Sequence, residues 1–152
     1  MKTLKFSVHI AAPREIVWNT LWNDDSYRKW TSIFRDGTYT VSDWKEGSKI
    51  LFMTPSGEGI NSVITRKIPN ERMSFRHMGM IRDENGKFSA EEANEVSGSL
   101  ENYFLHEEEG ITELKVEIDA PDESVKYFEN TFPLALRKIK ELAEVPQHHK
   151  IF

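Results

Sequence analysis

The chain of 152 residues has a formal net charge of −5, with 30% charged and 11% aromatic residues, which suits one folded domain rather than a disordered chain. Acidic and basic residues are interspersed without a basic block, and neither a signal-peptide core nor a run of about 18 apolar residues occurs, so no nucleic-acid partner and no membrane span are expected. The absence of cysteine excludes disulfides and thiolate metal sites, and together with the missing signal it favours a cytoplasmic protein.

The first part of the chain is predicted to form one strand and two short helices. Apolar and polar residues alternate over residues 3–11, which is typical of a half-buried strand. Pro13 then stands in the first turn of a helix, where its missing N–H does no harm. Residues 23–26 interrupt this helix and can cap a second one that runs to Trp30.

Six further strands are predicted between residues 38 and 120. They cover residues 38–44, 48–54, 60–68, 72–78, 94–106 and 111–120. Most connections between them are short and rich in turn residues, so consecutive strands should pair in antiparallel fashion. The exception is a longer connection over about 79–93, with a turn at 83–86. In the last strand apolar and charged residues alternate, which indicates that one face is covered and the other faces water.

A long amphipathic helix is predicted at about residues 122–145. Its apolar residues recur at steps of three and four and form one stripe, which a curved sheet would cover. Pro133 falls inside the helix, where a kink could open space beneath it. The alternatives are a helix that bends to follow the sheet, or one that begins near Phe132. Residues 1–146 are expected to form a single domain, with 147–152 as a loose tail.

Four local patterns in the chain resemble one known superfamily. They are residues 12–18 followed by Tyr27-Arg28-Lys29-Trp30, the turn Glu46-Gly47-Ser48, the strand–turn–strand at 68–75, and residues 110–114 with the closing helix. In this order they are similar to the START-like superfamily (SRPBCC), also called birch-pollen-allergen-like or helix-grip proteins. Within it the chain resembles the branch named for homologues of the activator of heat-shock protein 90 ATPase. The resemblance implies an α+β fold, in which a seven-stranded curved antiparallel sheet wraps around the long C-terminal helix and leaves a cavity between them.

No motif predicts a catalytic centre, a metal site or a cofactor. His106-Glu107 lacks the second histidine of a zinc-protease helix, and the five histidines do not have the spacing of metal ligands. The sequence Gly57-Glu58-Gly59 lies between strands rather than before a helix, so it is a turn and not a phosphate loop. The acidic run Glu107-Glu108-Glu109 and the pair Glu91-Glu92 are interpreted as solvated faces or turns.

The candidate binding residues are those that this fold would direct towards the cavity. An inward-facing His77 or Arg66 would need a polar partner, water or ligand, unless it reaches solvent at a strand end or a bulge reverses the strand's parity. The same choice between an inward-facing polar residue with a partner and a residue that reaches solvent applies to Glu101, Asn102 and Tyr103. Tyr103 is either a pocket hydroxyl or a packed core residue. The aromatic residues in the first part of the chain belong either to the hydrophobic core or to the mouth of the cavity. The predicted cavity residues are Trp30, Phe34, Trp44, Phe52, Phe75, His77, Tyr103, Phe128, Phe132 and Leu136.

Three functions remain open from the sequence. The favoured one is binding of an apolar or amphipathic small molecule in an aromatic cavity. The second is a protein-interaction module resembling a chaperone co-factor, which would use an exposed sheet face and have a filled core. The third is a cyclase, dehydratase or hydrolase, which would need an acid/base pair in the cavity, with His77 as its leading candidate.

Overall fold

The computed structural model describes residues 1–81 and 97–145. Their elements, in chain order, are β1 (Lys2–Ile10), α1 (Arg14–Trp22), α2 (Asp24–Thr31), β2 (Tyr39–Ser42), β3 (Lys49–Met53), β4 (Gly59–Ile68), β5 (Arg72–Ile81), β6 (Leu100–Glu108), β7 (Ile111–Ala120), a 3₁₀ turn (Asp122–Ser124) and α3 (Val125–Ala143). The predicted turn at 83–86, the pair Glu91-Glu92 and the tail 147–152 lie outside the described residues.

The strands form one seven-stranded antiparallel sheet in the order β1-β7-β6-β5-β4-β3-β2. Strands β2 to β7 are neighbours both in sequence and in space, because short turns join most of them. Strand β1 pairs with β7 without a register shift, from Lys2 opposite Ala120 to Ile10 opposite Thr112. The curved antiparallel sheet, the long helix α3 and the two short helices after β1 confirm the predicted α+β helix-grip fold.

Helix α3 buries its apolar stripe against the concave face of the sheet. Phe132, Ala135, Leu136, Ile139 and Ala143 are buried in one core with residues of the strands and of α1. Its main neighbour in the sheet is β1, where the rings of Phe6 and Phe132 stack with centroids 5.0 Å apart. The predicted stripe is therefore the face that the sheet covers.

Pro133 is not among the described residues that line the cavity presented below. It lies inside α3, which continues without interruption from Val125 to Ala143, and it is exposed. It borders a separate groove between α3 and β1, together with Phe6 and Leu136. The alternative of a helix that begins near Phe132 is wrong, since α3 begins at Val125.

Two strand predictions extend too far. The strand predicted over 38–44 ends at Ser42, because Trp44 has a φ of 62° and a residue in the left-handed region cannot continue a strand. The strand predicted to begin at residue 94 begins at Leu100, since residues 97 and 98 form a turn in which Gly98 has a φ of 86°. Strand β5, by contrast, extends past the predicted end at residue 78 to Ile81.

Register shifts between β4 and β5 decide which polar residues face inward. Ile64 lies opposite Phe75 but Arg66 lies opposite Ser74, so Thr65 is an additional residue and the alternation reverses there. Arg66 is consequently exposed, as the bulge alternative predicts. His77 lies opposite Ser62 and is buried.

Side chains from distant elements hold the link between β1 and α1. The backbone N–H of Arg14, at the start of α1, donates to the Glu107 carboxylate over 2.9 Å. The N–H of Ala11 donates to Glu144 over 2.8 Å, and the Thr112 hydroxyl donates to the carbonyl of Ala12 over 2.7 Å. Glu107 is therefore a helix cap rather than the solvated residue predicted from the acidic run.

Candidate functional site

A cavity of about 550 Å³ lies between the concave face of the sheet, α2 and the first turns of α3. Helix α2 contributes Tyr27, Trp30 and Thr31, and the link to β2 contributes Phe34. Strands β3 to β7 form the floor. A volume of this size lies within the range of about 300–1,000 Å³ that accommodates small-molecule ligands.

One wall of the cavity consists of aromatic rings from α3 and from the segment after α2. The ring of Phe34 lies 5.0 Å from that of Phe132, edge to face, and 6.4 Å from that of Phe128. The Tyr127 hydroxyl donates to the carbonyl of Phe34 over 3.2 Å and fastens this segment to α3. Such a wall offers an apolar ligand contact area and no charge.

The opposite wall carries a buried polar network that runs across three neighbouring strands. Ser62 Oγ on β4 lies 2.7 Å from His77 Nδ1 on β5, and His77 Nε2 lies 3.1 Å from Glu101 Oε1 on β6. The Tyr103 hydroxyl donates to Glu101 Oε2 over 2.5 Å. With an ionised Glu101, a consistent assignment has His77 Nε2–H donating to the carboxylate and Nδ1 accepting from Ser62.

Both tyrosines near Glu101 are held in their neutral form. Burial raises the pKa of Tyr103 well above its ordinary value, and the adjacent Glu101 carboxylate raises it further. Burial also raises the pKa of Tyr27, again with a smaller contribution from the charge of Glu101. At physiological pH these residues therefore present hydroxyl groups rather than phenolates.

Glu101 is the part of this network that a ligand can reach most easily. Its side chain is 23% exposed, against 11% for His77, while Tyr103 is almost completely buried. A carboxylate has about four acceptor positions, and His77 and Tyr103 occupy two of them. Glu101 therefore keeps acceptor capacity on a side chain that lines the cavity.

Asp119 and Trp22 are two further polar residues of the lining. Asp119 accepts hydrogen bonds from the Thr3 hydroxyl over 2.7 Å and from the N–H of Leu100 over 3.0 Å. The indole N–H of Trp22, another lining residue, is buried and has no hydrogen-bond partner among residues 1–81 and 97–145. An orphaned buried donor of this kind costs about 1–3 kcal/mol.

The structure brings together most of the predicted cavity residues. Those that line the cavity are Trp30, Phe34, Phe52, His77, Tyr103, Phe128 and Phe132. Phe75 lies in the core behind this surface, with its ring 5.1 Å from that of Phe52. Trp44 packs against Trp22 at 5.8 Å, and Leu136 borders the groove beside Pro133. A ligand-binding role for the seven lining residues stays a prediction.

Sequence reasoning missed several polar residues of the site. Ser62 is one of them, because its pairing with His77 depends on the register shift between Asn61 and Ser62, which no residue type predicts. Tyr27 was placed on α2 without a role in the cavity. The spacing of Glu101 and Tyr103, two residues apart on one strand, does carry a signal, because such residues share a face.

The described part of the chain offers neither a metal centre nor a membrane-spanning helix. No group of three or more His, Asp or Glu residues within 1–81 and 97–145 is arranged to hold a metal ion. None of the helices in the same ranges combines the length and the apolar character needed to cross a membrane.

Comparison with known proteins identifies one family and a widely shared fold. The family model described as Activator of Hsp90 ATPase homolog 1-like protein matches residues 11–144. No curated protein matches the chain. Among solved structures, the Aha1 dimer from Colwellia psychrerythraea is similar with a TM-score of 0.72 and 19% identity, over 97% of this chain and 99% of that one.

Two further structures show the same fold in other settings. DynU16, a protein of the dynemicin biosynthetic locus, has a TM-score of 0.71 and 13% identity to this chain. The match covers 95% of this chain and 48% of DynU16, so this chain spans about half of that protein's length. CalU16 from Micromonospora echinospora has a TM-score of 0.65 and 17% identity, over 98% of this chain and 80% of its own. At these identities the likeness concerns the fold alone.

Proposed function

The chain belongs to the family described as Activator of Hsp90 ATPase homolog 1-like protein, and from this premise we propose that it binds an apolar or amphipathic small molecule between the sheet and α3. The observation that carries the proposal is the cavity of about 550 Å³ with one aromatic wall and one hydrogen-bonding wall. Apolar surface supplies affinity for such a ligand, and a few convergent polar groups supply orientation. We propose the cytoplasm as its location, since the chain has no cysteine.

The cavity favours a ligand over a protein-interaction module. A module that binds partners through the outer sheet face would have no use for a cavity beside its main core. The cavity is partly open to solvent, and an apolar ligand would displace water from its aromatic wall. A partner protein remains the alternative that the experiment below can reveal.

Acid–base catalysis is a second candidate function, and the contact between His77 and Glu101 favours it. The imidazole and the carboxylate are 3.1 Å apart and both border the cavity. Such a pair can hold a proton and exchange it with a bound substrate, as a cyclase, dehydratase or hydrolase requires. The Tyr103 hydroxyl, which donates to Glu101, would keep the carboxylate in place during the transfer.

Native mass spectrometry of protein purified from its own host tests the binding proposal. We expect a bound mass that denaturation releases and that Phe128→Trp removes, because a larger ring at half-buried Phe128 would occupy the cavity. Leu134→Trp is the matched control, since Leu134 is exposed on α3 and does not border the cavity. An empty protein that also shows no thermal shift with a library of lipids and aromatic compounds would contradict binding.

The same preparation separates binding from catalysis. The released compound is returned to the protein and to a His77→Gln variant, and both mixtures are followed by liquid chromatography and mass spectrometry. Conversion by the parent protein that His77→Gln abolishes would establish acid–base catalysis. A compound recovered unchanged from both would leave binding as the function.

A further inference from the structure

We propose that the ligand of this cavity is an amphipathic cation, with an apolar body and a protonated amine that binds Glu101. This inference rests on the proposed function and names the chemical class of the ligand. An ammonium group has N–H donors and a positive charge, and both would be satisfied by a carboxylate that retains acceptor capacity. The following observations favour a cation over a neutral or anionic ligand.

Among the lining residues within 1–81 and 97–145, negative charge exceeds positive charge. Glu101 and Asp119 carry carboxylates and Arg35 carries a guanidinium, while Glu58 has an interaction of its own and is not counted. Opposite charges attract more strongly in a partly desolvated site than in water, and like charges repel more strongly. The lining therefore favours an ammonium group and disfavours a fatty acid or another carboxylate ligand.

The environment of Glu101 is suited to a cation in particular. Tyr103, whose hydroxyl donates to Glu101, has its ring 4.9 Å from that of Trp22 and 6.4 Å from that of Trp30. The ring of Tyr27 lies 5.4 Å from that of Trp30. Aromatic faces carry partial negative charge and attract cations, and rings grouped beside a carboxylate form the arrangement that recognises organic ammonium groups.

The remainder of the cavity fits the apolar body of such a ligand. The wall formed by Phe34, Phe128 and Phe132 has no charged group and lies across the cavity from Glu101. Burial of apolar surface there would contribute about 25 cal/mol per Å² irrespective of the head group. The head group then determines selectivity, since a cation gains both a hydrogen bond and charge attraction from the carboxylate, whereas a neutral donor gains the hydrogen bond alone.

Three compounds with one aromatic body test this inference: naphthylethylamine, naphthylethanol and naphthylacetate. Their affinities are measured by isothermal titration calorimetry at neutral pH. Both head groups can donate to the Glu101 carboxylate, but only the amine adds a positive charge, so we expect the amine to bind at least about tenfold more tightly than the alcohol. We expect naphthylacetate to bind more weakly than either.

Glu101→Gln removes the charge and keeps the shape of the side chain, so it should weaken the amine about tenfold and change the affinity for the alcohol little. Glu113→Gln is the matched control. Glu113 is also part-exposed, at 28%, and also lies near a histidine, His9, but on the outer face of the sheet. Circular dichroism confirms that the variants are folded, and the comparison of amine with alcohol in the unmodified protein does not depend on them.

The possible outcomes distinguish this inference from the proposed function. Equal or tighter binding of naphthylacetate, or an amine affinity that Glu101→Gln leaves unchanged, would overturn the cationic ligand while binding in the cavity stands. Failure of all three compounds to bind would overturn both. Tight binding of the amine alone, lost in Glu101→Gln and kept in Glu113→Gln, would support both.

Discussion

Glu101 shows how a charged residue can occupy the inner face of a sheet. Its two oxygens accept hydrogen bonds from His77 and Tyr103, which lie on the same face. A buried carboxylate without such partners would be far less stable, because desolvation of an ion costs several kcal/mol. The network therefore stabilises the position that the proposed ligand would use.

Replacement of Tyr103 by Phe is expected to destabilise the protein by about 1–3 kcal/mol, because Glu101 loses a hydrogen bond to its charged group. The ring and its aromatic contacts remain, so packing changes little. Urea unfolding at neutral pH measures the difference. Tyr39→Phe, on the edge strand β2, is the control. A loss no larger than that of the control would show that the Tyr103–Glu101 bond contributes nothing.

Alkaline pH tests the protonation state of the tyrosines near Glu101. Burial raises the pKa of Tyr27, so the folded protein retains a proton that the unfolded chain loses near pH 10. The stability from this proton is fully present below about pH 10 and declines as the pH rises above it. Tyr27→Phe should therefore lose less unfolding free energy than the parent between neutral and strongly alkaline solution, measured by urea unfolding. Equal losses in the two proteins would contradict this.

Parity places His77 on the inner face of its strand, but its partners do not follow from the sequence. The alternation of β5 is regular over Phe75 and His77, so the direction of His77 can be predicted. The residue opposite depends on bulges, and a shift of one position exchanges the faces of a strand. The same effect turned Arg66 outward. Polar pairs that cross between strands are therefore the least predictable part of the site.

At the scale of elements, the end of α3 is connected to the end of β1 by polar contacts. Glu144 accepts a hydrogen bond from the N–H of Ala11 and pairs with Lys140, which also donates to the carbonyl of His9 over 3.1 Å. These contacts hold the segment that precedes α1. They lie away from the cavity, so they influence stability without changing its lining.

Glu144→Gln should destabilise the protein by about 1 kcal/mol at neutral pH. The hydrogen bond from Lys140, followed by that from Ala11, lowers the pKa of Glu144. Its contribution is therefore present above the unfolded pKa, near 4.3, and is lost as the pH falls through the lower folded pKa. Urea unfolding should show a difference between variant and parent that disappears in strong acid. A difference that persists in strong acid would exclude the ionised carboxylate as its cause. Glu141→Gln is the control, because Glu141 is exposed on α3.

Pro133→Ala tests whether the proline serves the cavity. Proline is less favourable than alanine inside a helix by about 3 kcal/mol, so the substitution should stabilise α3 by up to that amount. Because Pro133 is exposed and lies outside the cavity lining, ligand affinity should not change. Thermal unfolding and calorimetry with the same ligand measure the two effects. A loss of affinity would show that Pro133 influences the shape of the cavity.

At the scale of the whole molecule, periodicity predicted the elements and their buried faces, and the family resemblance implied how they are arranged. The alternation in β7 and the stripe of α3 each indicate one buried face, and a curved sheet around a helix satisfies both. The cavity is a different kind of property, since it depends on where packing is incomplete. Phe75 and Phe52 have the same residue type, yet Phe75 is fully buried in the core while Phe52 lines the cavity. Residue type alone cannot separate them.

The topology predicts how stability is distributed over the sheet, and amide hydrogen exchange measures it. Strand β7 is paired on both sides, with β1 and β6, while the four-residue β2 is an edge strand paired only with β3. Exchange requires opening of these hydrogen bonds, so β7 should exchange slowest and β2 fastest among the strands.

Strand β1 is the internal control for this prediction, because it is also an edge but pairs through nine residues and packs against α3. It should exchange at an intermediate rate. Protection of β2 equal to that of β7 would mean that opening is global, and that the cavity side of the sheet is as stable as the side that holds α3. The expected gradient would instead place the least stable strand next to β3, which contributes Phe52 to the cavity, so local opening at β2 would leave the central strands paired.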